Sequence, residues 1–230
     1  MKICLISPIK DGQISPQLAK VINWHQQTDY EFILVNSGNL LELKNNKIQV
    51  LQKETNSRAE KMNFAASATT AQFFVFIHPR SFLEKSAIEQ LTRTINKKEL
   101  QWGAFTHRFD KRNRLLDFTS WYSNNIRGKF SQIYYLDHCL FIKRELFENI
   151  QGFPNLSIFE DTAICEKLRK HSPAFLCKSF STTSSVRFNK NGLLKQILLN
   201  QILKIAYHLG VNDERMNKIY ERGLNLNSKY

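Results

Sequence analysis

Two adjacent carboxylates, Glu160 and Asp161, combine a residue type and a position that could support catalysis. A positioned carboxylate can take a proton from a reacting hydroxyl group, which is the role of a general base. The apolar residues Ala163, Ile164 and Leu168 follow at helical spacing, so the pair is predicted to begin a helix. Carboxylates at a helix N-terminus also favour the helix dipole and cap free N–H groups. A catalytic role and a structural role are therefore both open for this pair.

Asp137 and His138 form a second polar pair, within a stretch that is otherwise largely apolar. The residues from Tyr134 to Ile142 predict a strand, interrupted only by these two side chains. A charged pair inside a strand costs free energy unless it faces a site or finds partners. We therefore expect Asp137 and His138 to face a binding or reaction site.

A polar loop, His78-Pro79-Arg80-Ser81, follows the aromatic and β-branched run from Phe73 to Ile77. A run that is so short and so apolar predicts a central strand of a parallel sheet, covered on both faces. Ser81 and Glu84 have the spacing of a capping box, which predicts the start of the next helix. The loop is thus predicted to lie between the carboxyl end of a strand and a helix N-terminus, where open α/β sheets bind ligands.

The first quarter of the chain supplies elements that can position such a loop. Strands are predicted at 2–7, 32–35 and 48–51, one helix begins at Ser15-Pro16, and another is capped by Asn56 or Ser57. Strands alternating with helices predict the α/β half of a nucleotide-binding fold. Neither G-x-G-x-x-G nor a Walker pattern occurs, which excludes an ordinary Rossmann dehydrogenase and a P-loop enzyme.

The rest of the chain is predicted to complete a single domain over residues 1–230. Strands are predicted at 102–107 and, as an edge strand, at 175–177. A helical stripe, more typical of a core than of a ligand site, comprises Leu115, Leu116, Phe118, Trp121, Tyr122 and Ile126. Helices are predicted over about 191–222 and a loose tail over 224–230. The long helix among them could pack on the domain or lie on a membrane surface, with an apolar side formed by Leu194, Ile197, Leu198, Ile202, Ile205 and Leu209.

The composition indicates which class of protein this is and which kinds of partner its charge favours. The chain has 230 residues, 42% of them hydrophobic, which predicts a folded domain with a sizeable core. A formal net charge of +13 favours anionic partners without choosing among nucleotide phosphates, nucleic acid and an anionic membrane. The cysteines show no metal-binding spacing, and no apolar run reaches the roughly 20 residues that span a bilayer. We expect a cytoplasmic protein, at most peripheral at the inner membrane face.

Several motifs resemble those of family 2 glycosyltransferases with the GT-A fold. The segments 58–66 and 76–81 are similar to the pattern R-x-x-Q-M-N-x-G-A, a strand, then L-H-A-D-T of the small transferases associated with radical-SAM and selenodomain proteins. Residues that match the family's motifs, in the same order from Ile3 to about Arg222, are Met62, Asn63, His78, Asp137, Phe141, Gly152, Phe153, Pro154, Glu160, Asp161 and Arg187.

The resemblance implies the GT-A fold, a mixed and mainly parallel Rossmann-like sheet with helices on both faces. It implies an inverting transferase that moves a sugar from a nucleotide-diphosphate donor to an acceptor hydroxyl, with Asp161 as base and Glu160 beside it. The donor or substrate residues that it implies are Pro8, Asn36, Arg58, Asn63, His78, Arg80, Asp137, His138 and Arg187. The acceptor, a glycan, lipid or small molecule, is left open.

Two departures from the family pattern bear on metal use and activity. Asn36 stands where the family has a nucleotide-binding aspartate, and it could equally be a turn residue. Arg80 replaces the aspartate of the acidic D-x-D motif that holds Mn²⁺ or Mg²⁺ in the family, so no metal ligand is assigned. Arg80 could supply the positive charge itself. The alternatives are a protein that binds a nucleotide sugar or a partner without turnover, or a basic binder of nucleic acid or membranes, although no nucleic-acid motif occurs.

Overall fold

The computed structural model describes residues 1–39, 41, 43 and 47–222, and the predicted tail at 224–230 lies outside this range. The strands are β1 (Ile3–Pro8), β2 (Glu31–Asn36), β3 (Ile48–Gln52), β4 (Phe73–Phe76), β5 (Ser81–Leu83), β6 (Trp102–Phe109), β7 (Leu140–Lys143) and β8 (Phe175–Thr183). The helices are α1 (Pro16–His25), α2 (Arg58–Ser67), α3 (Lys85–Lys98), α4 (Arg114–Tyr122), α5 (Arg144–Asn149), α6 (Glu160–Leu168), α7 (Val186–Asn191), α8 (Leu193–His208) and α9 (Asp213–Arg222). A π-helical segment, Ser123–Ser131, continues α4, and a 3₁₀ turn, Leu136–His138, precedes β7.

The strands form one mixed sheet in the order β3-β2-β1-β4-β7-β6-β8-β5. Strands β3, β2, β1 and β4 are parallel neighbours, as are β6 and β8, whereas β7 is antiparallel to both β4 and β6. The carboxyl ends of β1, β2 and β4 therefore meet at one edge of the sheet. That edge carries the polar loops that the sequence predicts to bind a ligand.

Helices cover both faces of this sheet. Alternate residues of each central strand point to opposite faces, so Phe74 and Phe76 pack with α2, α5 and α6, while Phe73 and Val75 pack with α1 and α3. These strands are buried on both faces, which explains why their sequences are continuously apolar. The predicted α/β architecture, a mainly parallel sheet with helices on both faces, is confirmed.

Two helix starts were predicted correctly from capping residues in the sequence. Ser15 caps α1 by accepting a hydrogen bond from the Leu18 N–H, and Ser57 caps α2 through the Glu60 N–H. The predicted capping box at Ser81 is wrong, because Ser81 begins β5 and its hydroxyl contacts Thr183 on β8. Pairing between distant strands prevails here over a local cap, and α3 begins only at Lys85. The predicted edge strand at 175–177 belongs to the longer β8, which β5 flanks at its far end.

The predicted strand from Tyr134 to Ile142 is also wrong over its first half. The 3₁₀ turn occupies Leu136–His138, and the Asp137 carbonyl oxygen accepts hydrogen bonds from the Ser81, Ser181 and Thr183 hydroxyls. Those hydroxyls hold the backbone in a turn, and the His138 side chain is fully buried, with its ring Nδ1 hydrogen-bonded to the Phe105 carbonyl of β6.

Two predicted apolar stripes face largely outward. On α4, only Leu116 of the predicted residues is buried, whereas Phe118 is 60% exposed and Trp121 50% exposed. On α8, the buried residues are Gln196, Leu199 and Leu203. Five residues of the predicted apolar side are exposed, namely Leu194, Leu198, Ile202, Ile205 and Leu209. Within the described part of the chain, no helix has the length and apolarity that crossing a bilayer requires.

Candidate functional site

The carboxyl ends of β1 and β2 hold a buried lysine that the sequence did not single out. The Lys61 ammonium group donates hydrogen bonds to the Ile9 carbonyl, at 2.7 Å, and to the Ser37 hydroxyl, at 2.6 Å. Burial and the nearby charge of Lys10 lower the pKa of Lys61 to about 8. Pro8 ends β1 and directly precedes Ile9, whose carbonyl accepts the Lys61 hydrogen bond. A buried cation at this edge favours an anionic ligand.

Asn36, the predicted nucleotide residue, uses its side chain to hold two loops. Its Oδ1 accepts a hydrogen bond from the Gly12 N–H at 3.0 Å, and its Nδ2 donates to the Asn39 carbonyl at 2.6 Å. This geometry fits the turn-residue interpretation that the sequence left open. Contacts from Asn36 to a base or ribose would have to come from the remaining lone pair or N–H.

Three arginines surround His78 at the carboxyl end of β4. Burial lowers the pKa of His78 well below its usual value, and the charges of Arg80, Arg58 and Arg187 lower it further against the opposing effect of Asp137. The ring Nδ1 accepts a hydrogen bond from the Arg80 N–H at 3.1 Å, as expected of a neutral imidazole. Residues from α2, the β4–β5 loop and α7 therefore combine into one positively charged region.

The carboxylates of α6 lie against this charged region. Glu160 is 1% exposed, and its Oε1 lies 2.8 Å from Arg58 Nη2 as an ion pair. The Asp161 Oδ2 accepts a hydrogen bond from the Leu136 N–H at 2.9 Å, which ties α6 to the 3₁₀ turn. The predicted helix start at the pair is confirmed, since α6 begins at Glu160.

Asp161 has an unusual protonation equilibrium. Burial and the neighbouring Glu160 raise the pKa of Asp161 to about 7, although Arg58 and the Leu136 N–H act in the opposite direction. A carboxyl group with a pKa near 7 can both take and return a proton at neutral pH, which suits a general base.

The buried Asp161 should make stability depend on pH. In the unfolded chain its pKa is near the ordinary value of about 3.9, so between about pH 4 and pH 7 the folded chain holds the proton more tightly. The free energy of unfolding should therefore fall as pH rises through this window. We expect Asp161→Asn to melt several degrees higher than the native chain at pH 8 and at nearly the same temperature at pH 4. Thermal unfolding across this range measures it, and an equal difference at both pH values would contradict the assignment.

A second buried network surrounds Asp137. Its Oδ2 lies 3.6 Å from His107 Nε2, and His138 Nδ1 lies 3.1 Å from the Phe105 carbonyl, to which it donates. Burial raises the pKa of Asp137, but His107, His138 and Arg127 lower it to about 2. Burial lowers the pKa of His138 to about 3 and also depresses that of His107, so both rings are neutral at pH 7. Arg127 is then the positive charge beside the Asp137 carboxylate.

Several buried polar atoms of the two networks have no hydrogen-bond partner within the described residues. They are Asp137 Oδ1, Glu160 Oε2 and His107 Nε2. Buried polar groups normally find partners, so such orphan atoms in one region indicate that a polar ligand completes them. The charges link the networks too, because Asp137 influences the pKa of both Arg58 and Asp161.

Asn63 lies beside the site and holds its neighbouring turn. The side-chain amide donates to the Phe153 carbonyl and accepts from the Phe153 N–H, each at 2.9 Å. Gly152 has a φ of +64°, and a Cβ there would lie 2.6 Å from Asn63 Oδ1, so this position requires glycine. Asn63 therefore fixes the Gly-Phe-Pro turn that leads to α6.

The structure thus brings together most of the predicted site residues: Arg58, His78, Arg80, Asp137, His138, Glu160, Asp161 and Arg187. Sequence reasoning missed Lys61, His107 and Arg127. For His107 a signal existed, because a histidine inside an apolar strand pattern needs a partner in the same way as Asp137. For Arg127 the sequence contains no such signal, because Arg127 comes close to His138 only through the π-helical segment.

The donor set at this site does not fit a divalent cation. Mn²⁺ and Mg²⁺ prefer several converging carboxylate oxygens. Here Glu160 is paired with Arg58, and Asp161 accepts the Leu136 N–H. Among the described residues, no group of three His, Cys, Asp or Glu side chains could hold a metal ion. The guanidinium groups around His78 instead favour an anion.

Solved structures of nucleotide-sugar glycosyltransferases share this architecture. S. aureus TarS in complex with UDP-GlcNAc aligns with a TM-score of 0.59 at 18% identity, covering 80% of this chain and 58% of that one. The mannosyltransferase PcManGT from Pyrobaculum calidifontis, in complex with GDP-Man and Mn²⁺, gives 0.58 at 14% identity, covering 87% and 64%. Glucosyl-3-phosphoglycerate synthase from Mycobacterium tuberculosis, in complex with Mn²⁺, UDP and phosphoglyceric acid, gives 0.54 at 13% identity, covering 79% and 69%.

These likenesses identify the fold as GT-A, as the sequence predicted. This chain spans less than two thirds of the TarS and mannosyltransferase chains in those complexes. No protein-family model and no curated protein sequence matches it. These likenesses therefore establish the class of fold.

Proposed function

We propose that this chain is an inverting glycosyltransferase of family 2 that uses a nucleotide-diphosphate sugar and works without a divalent metal. The observation that carries the proposal is Asp161, a buried carboxyl group that accepts the Leu136 N–H beside the Arg58–Glu160 ion pair and whose pKa is raised to about 7. A base beside an anion-binding region is what a single displacement at the anomeric carbon needs. The motifs similar to the radical-SAM and selenodomain-associated transferases support this assignment.

Each residue has a role in the proposed reaction. Asp161 takes the proton of the acceptor hydroxyl while the acceptor oxygen bonds to the anomeric carbon of the donor sugar. At the same time the bond between that carbon and the diphosphate breaks. Arg58, Arg80 and Arg187 balance the negative charge that grows on the departing diphosphate. Glu160 holds Arg58 in place through their ion pair.

Asp137 and its neighbours complete the proposed site. The unpartnered Asp137 Oδ1 and His107 Nε2 are suited to hydroxyl groups of the donor sugar or of the acceptor. His138 has a supporting role beside Asp137 and His107, because its ring is held by the Phe105 carbonyl and the Ser123 hydroxyl.

A second candidate function is binding of a nucleotide sugar without turnover. It is favoured by Asn36, whose amide is engaged with Gly12 and Asn39 where the resembling family has a nucleotide-binding aspartate. A chain that binds UDP- or GDP-sugars but neither transfers nor hydrolyses them would support this alternative. A binder of nucleic acid is the third, and its evidence is only the charge of +13.

A thermal-shift panel of nucleotide diphosphates and their sugars tests the proposal. A ligand that binds only the folded state at one hundred times its Kd stabilises it by about 2.7 kcal/mol, which raises the melting temperature measurably. UDP- and GDP-sugars are the first ligands to test in this panel. A panel without any shift would remove both nucleotide-sugar proposals at once.

Donor binding is expected to survive EDTA and to weaken at least about tenfold in Arg80→Ala. The reason is that a charge-assisted hydrogen bond to phosphate contributes roughly 1.5–3 kcal/mol. Arg80→Asp should weaken metal-free binding further. Isothermal titration with and without Mn²⁺ measures both.

Arg93→Ala is the matched control, because it removes one arginine from the exposed surface of α3 on the other face of the sheet. It should bind the donor like the native chain. Binding by the native chain that requires Mn²⁺ would show that Arg80 does not replace the metal.

A further inference from the structure

The outward face of α8 is a continuous apolar surface. It consists of Leu194, Leu198, Ile202, Ile205 and Leu209, of which Leu194 is 70% exposed and Leu209 77% exposed. These residues recur every three or four positions, so they form one stripe along a helix of 16 residues. Soluble proteins seldom expose a stripe of this size unless a partner covers it.

The inward face of α8 packs next to the candidate site. Leu199 and Leu203 pack with Ile158 and Met216. The Tyr207 hydroxyl donates to Glu166 on α6 at 3.1 Å. These contacts attach α8 to the helix that carries Asp161, so α8 is a fixed part of the domain with its apolar stripe turned outward.

Lys204 extends the same contact toward the site. Its ammonium group lies 5.6 Å from the centre of the Tyr135 ring, on which Arg127 also stacks at 3.6 Å. Burial and the nearby charge of Arg127 lower the pKa of Lys204 to about 8. Two cations so close together make the region between α8 and the candidate site favourable for negative charge.

The segment that includes α8 is basic throughout. Residues 167–212 contain no Asp or Glu, and their basic residues are Lys167, Arg169, Lys170, Lys178, Arg187, Lys190, Lys195 and Lys204. A second copy of the chain would bring the same positive charge to this face, which opposes self-association. An anionic lipid surface offers opposite charge together with an apolar layer.

We propose that the exposed stripe of α8 docks this protein on a bilayer that contains anionic lipids. The five apolar side chains enter the boundary between headgroups and acyl chains, while Lys195, exposed on the same helix, and the net charge of +13 favour the anionic headgroups. Since α8 is attached to α6, docking holds the candidate site beside the bilayer. The inference is independent of turnover and therefore of the proposed glycosyltransferase activity.

Vesicle co-sedimentation tests the proposal with the whole chain. We expect at least tenfold more protein bound to vesicles of phosphatidylcholine with phosphatidylglycerol than to phosphatidylcholine alone. Leu198→Glu/Ile205→Glu should lose at least tenfold of that binding, because two charges replace apolar groups on the stripe. Both positions are exposed, so circular dichroism and the melting temperature should stay native.

A charge-matched control separates insertion from simple attraction. Gln13→Glu/Gln27→Glu adds the same two negative charges at exposed positions next to α1, and it should retain most of the binding. The proposal is overturned if the native chain ignores anionic vesicles, or if both double variants lose binding equally. It is also overturned if sedimentation velocity finds a dimer that Leu198→Glu/Ile205→Glu dissociates, because the stripe would then be a self-association surface.

Discussion

Asp161→Asn is expected to lower kcat by at least about a hundredfold while the chain remains folded. The loss is the usual contribution of a positioned base, and an amide cannot take the proton. The hydrogen bond from the Leu136 N–H should survive, because the Asn carbonyl oxygen can replace the carboxylate oxygen. Transfer assays at saturating donor measure it, with KM little changed if Asp161 acts in the chemical step.

The pH profile gives this prediction a second readout. In the native chain, kcat/KM should fall as pH drops through the pKa of Asp161, near 7, because the protonated carboxyl group cannot act as a base. The control is Glu166→Gln, which changes a carboxylate on the same helix that accepts a hydrogen bond from the Tyr207 hydroxyl. It should keep the native rate and profile. Full activity of Asp161→Asn would remove the proposed mechanism while leaving the fold intact.

Arg58→Ala is expected to lower the free energy of unfolding by roughly 3 kcal/mol. Removing one member of a buried ion pair leaves the other charge uncompensated, which typically costs 3–5 kcal/mol. The lower value applies because the Arg58 side chain is partly exposed, so water can enter beside Glu160. Urea unfolding at pH 7 measures the change.

A double variant distinguishes this cause from lost packing. Arg58→Ala/Glu160→Gln should regain most of the lost stability, since the neutral side chain no longer needs a cation. Lys85→Ala is the matched control, because it breaks the exposed pair with Glu89 and should cost less than about 0.5 kcal/mol. If the double variant is no more stable than Arg58→Ala, the ion pair does not hold Glu160 in place.

The sequence predicted the layered architecture because the relevant signals are local and strong. Continuous apolar runs such as Phe73–Phe76 mark strands that are buried on both faces, and Ser15 and Ser57 mark helix starts by their own hydrogen bonds. Local sequence signals gave wrong predictions where pairing with a distant segment determines the conformation instead. Ser81 looked like a cap, but pairing of β5 with β8 determines its conformation.

Helix faces were harder to predict than helices. The spacing of the stripe on α8 left open whether it packs on the domain or lies on a membrane surface, and the helix also carries Leu199 and Leu203 on another side. Periodicity shows that a helix has an apolar side, whereas the neighbouring helices decide which side is buried. The same limit explains the exposed aromatic residues of α4, where Ser120 and Leu116 face inward.

The sequence predicted which residues form the candidate site but not which of them contact each other. The pairing of Arg58 with Glu160 joins residues far apart in sequence, as does the clamp of Asn63 on Phe153. Nothing in the order of residues indicates such pairs before the fold brings the segments together. His107 shows the same limit, because its relation to Asp137 exists only once β6 lies beside the 3₁₀ turn.

The exposed indole of Trp121 gives this protein a built-in optical reporter. Trp24 and Trp102 are less accessible, and their ring N–H groups donate to the Leu83 and Ser172 carbonyls. Trp121 is half exposed and stacks on Phe118, on the helix whose Ser120 contacts His107. A collisional quencher such as acrylamide should therefore report mainly on Trp121. Its emission offers a label-free titration of any ligand that shifts α4 behind His107.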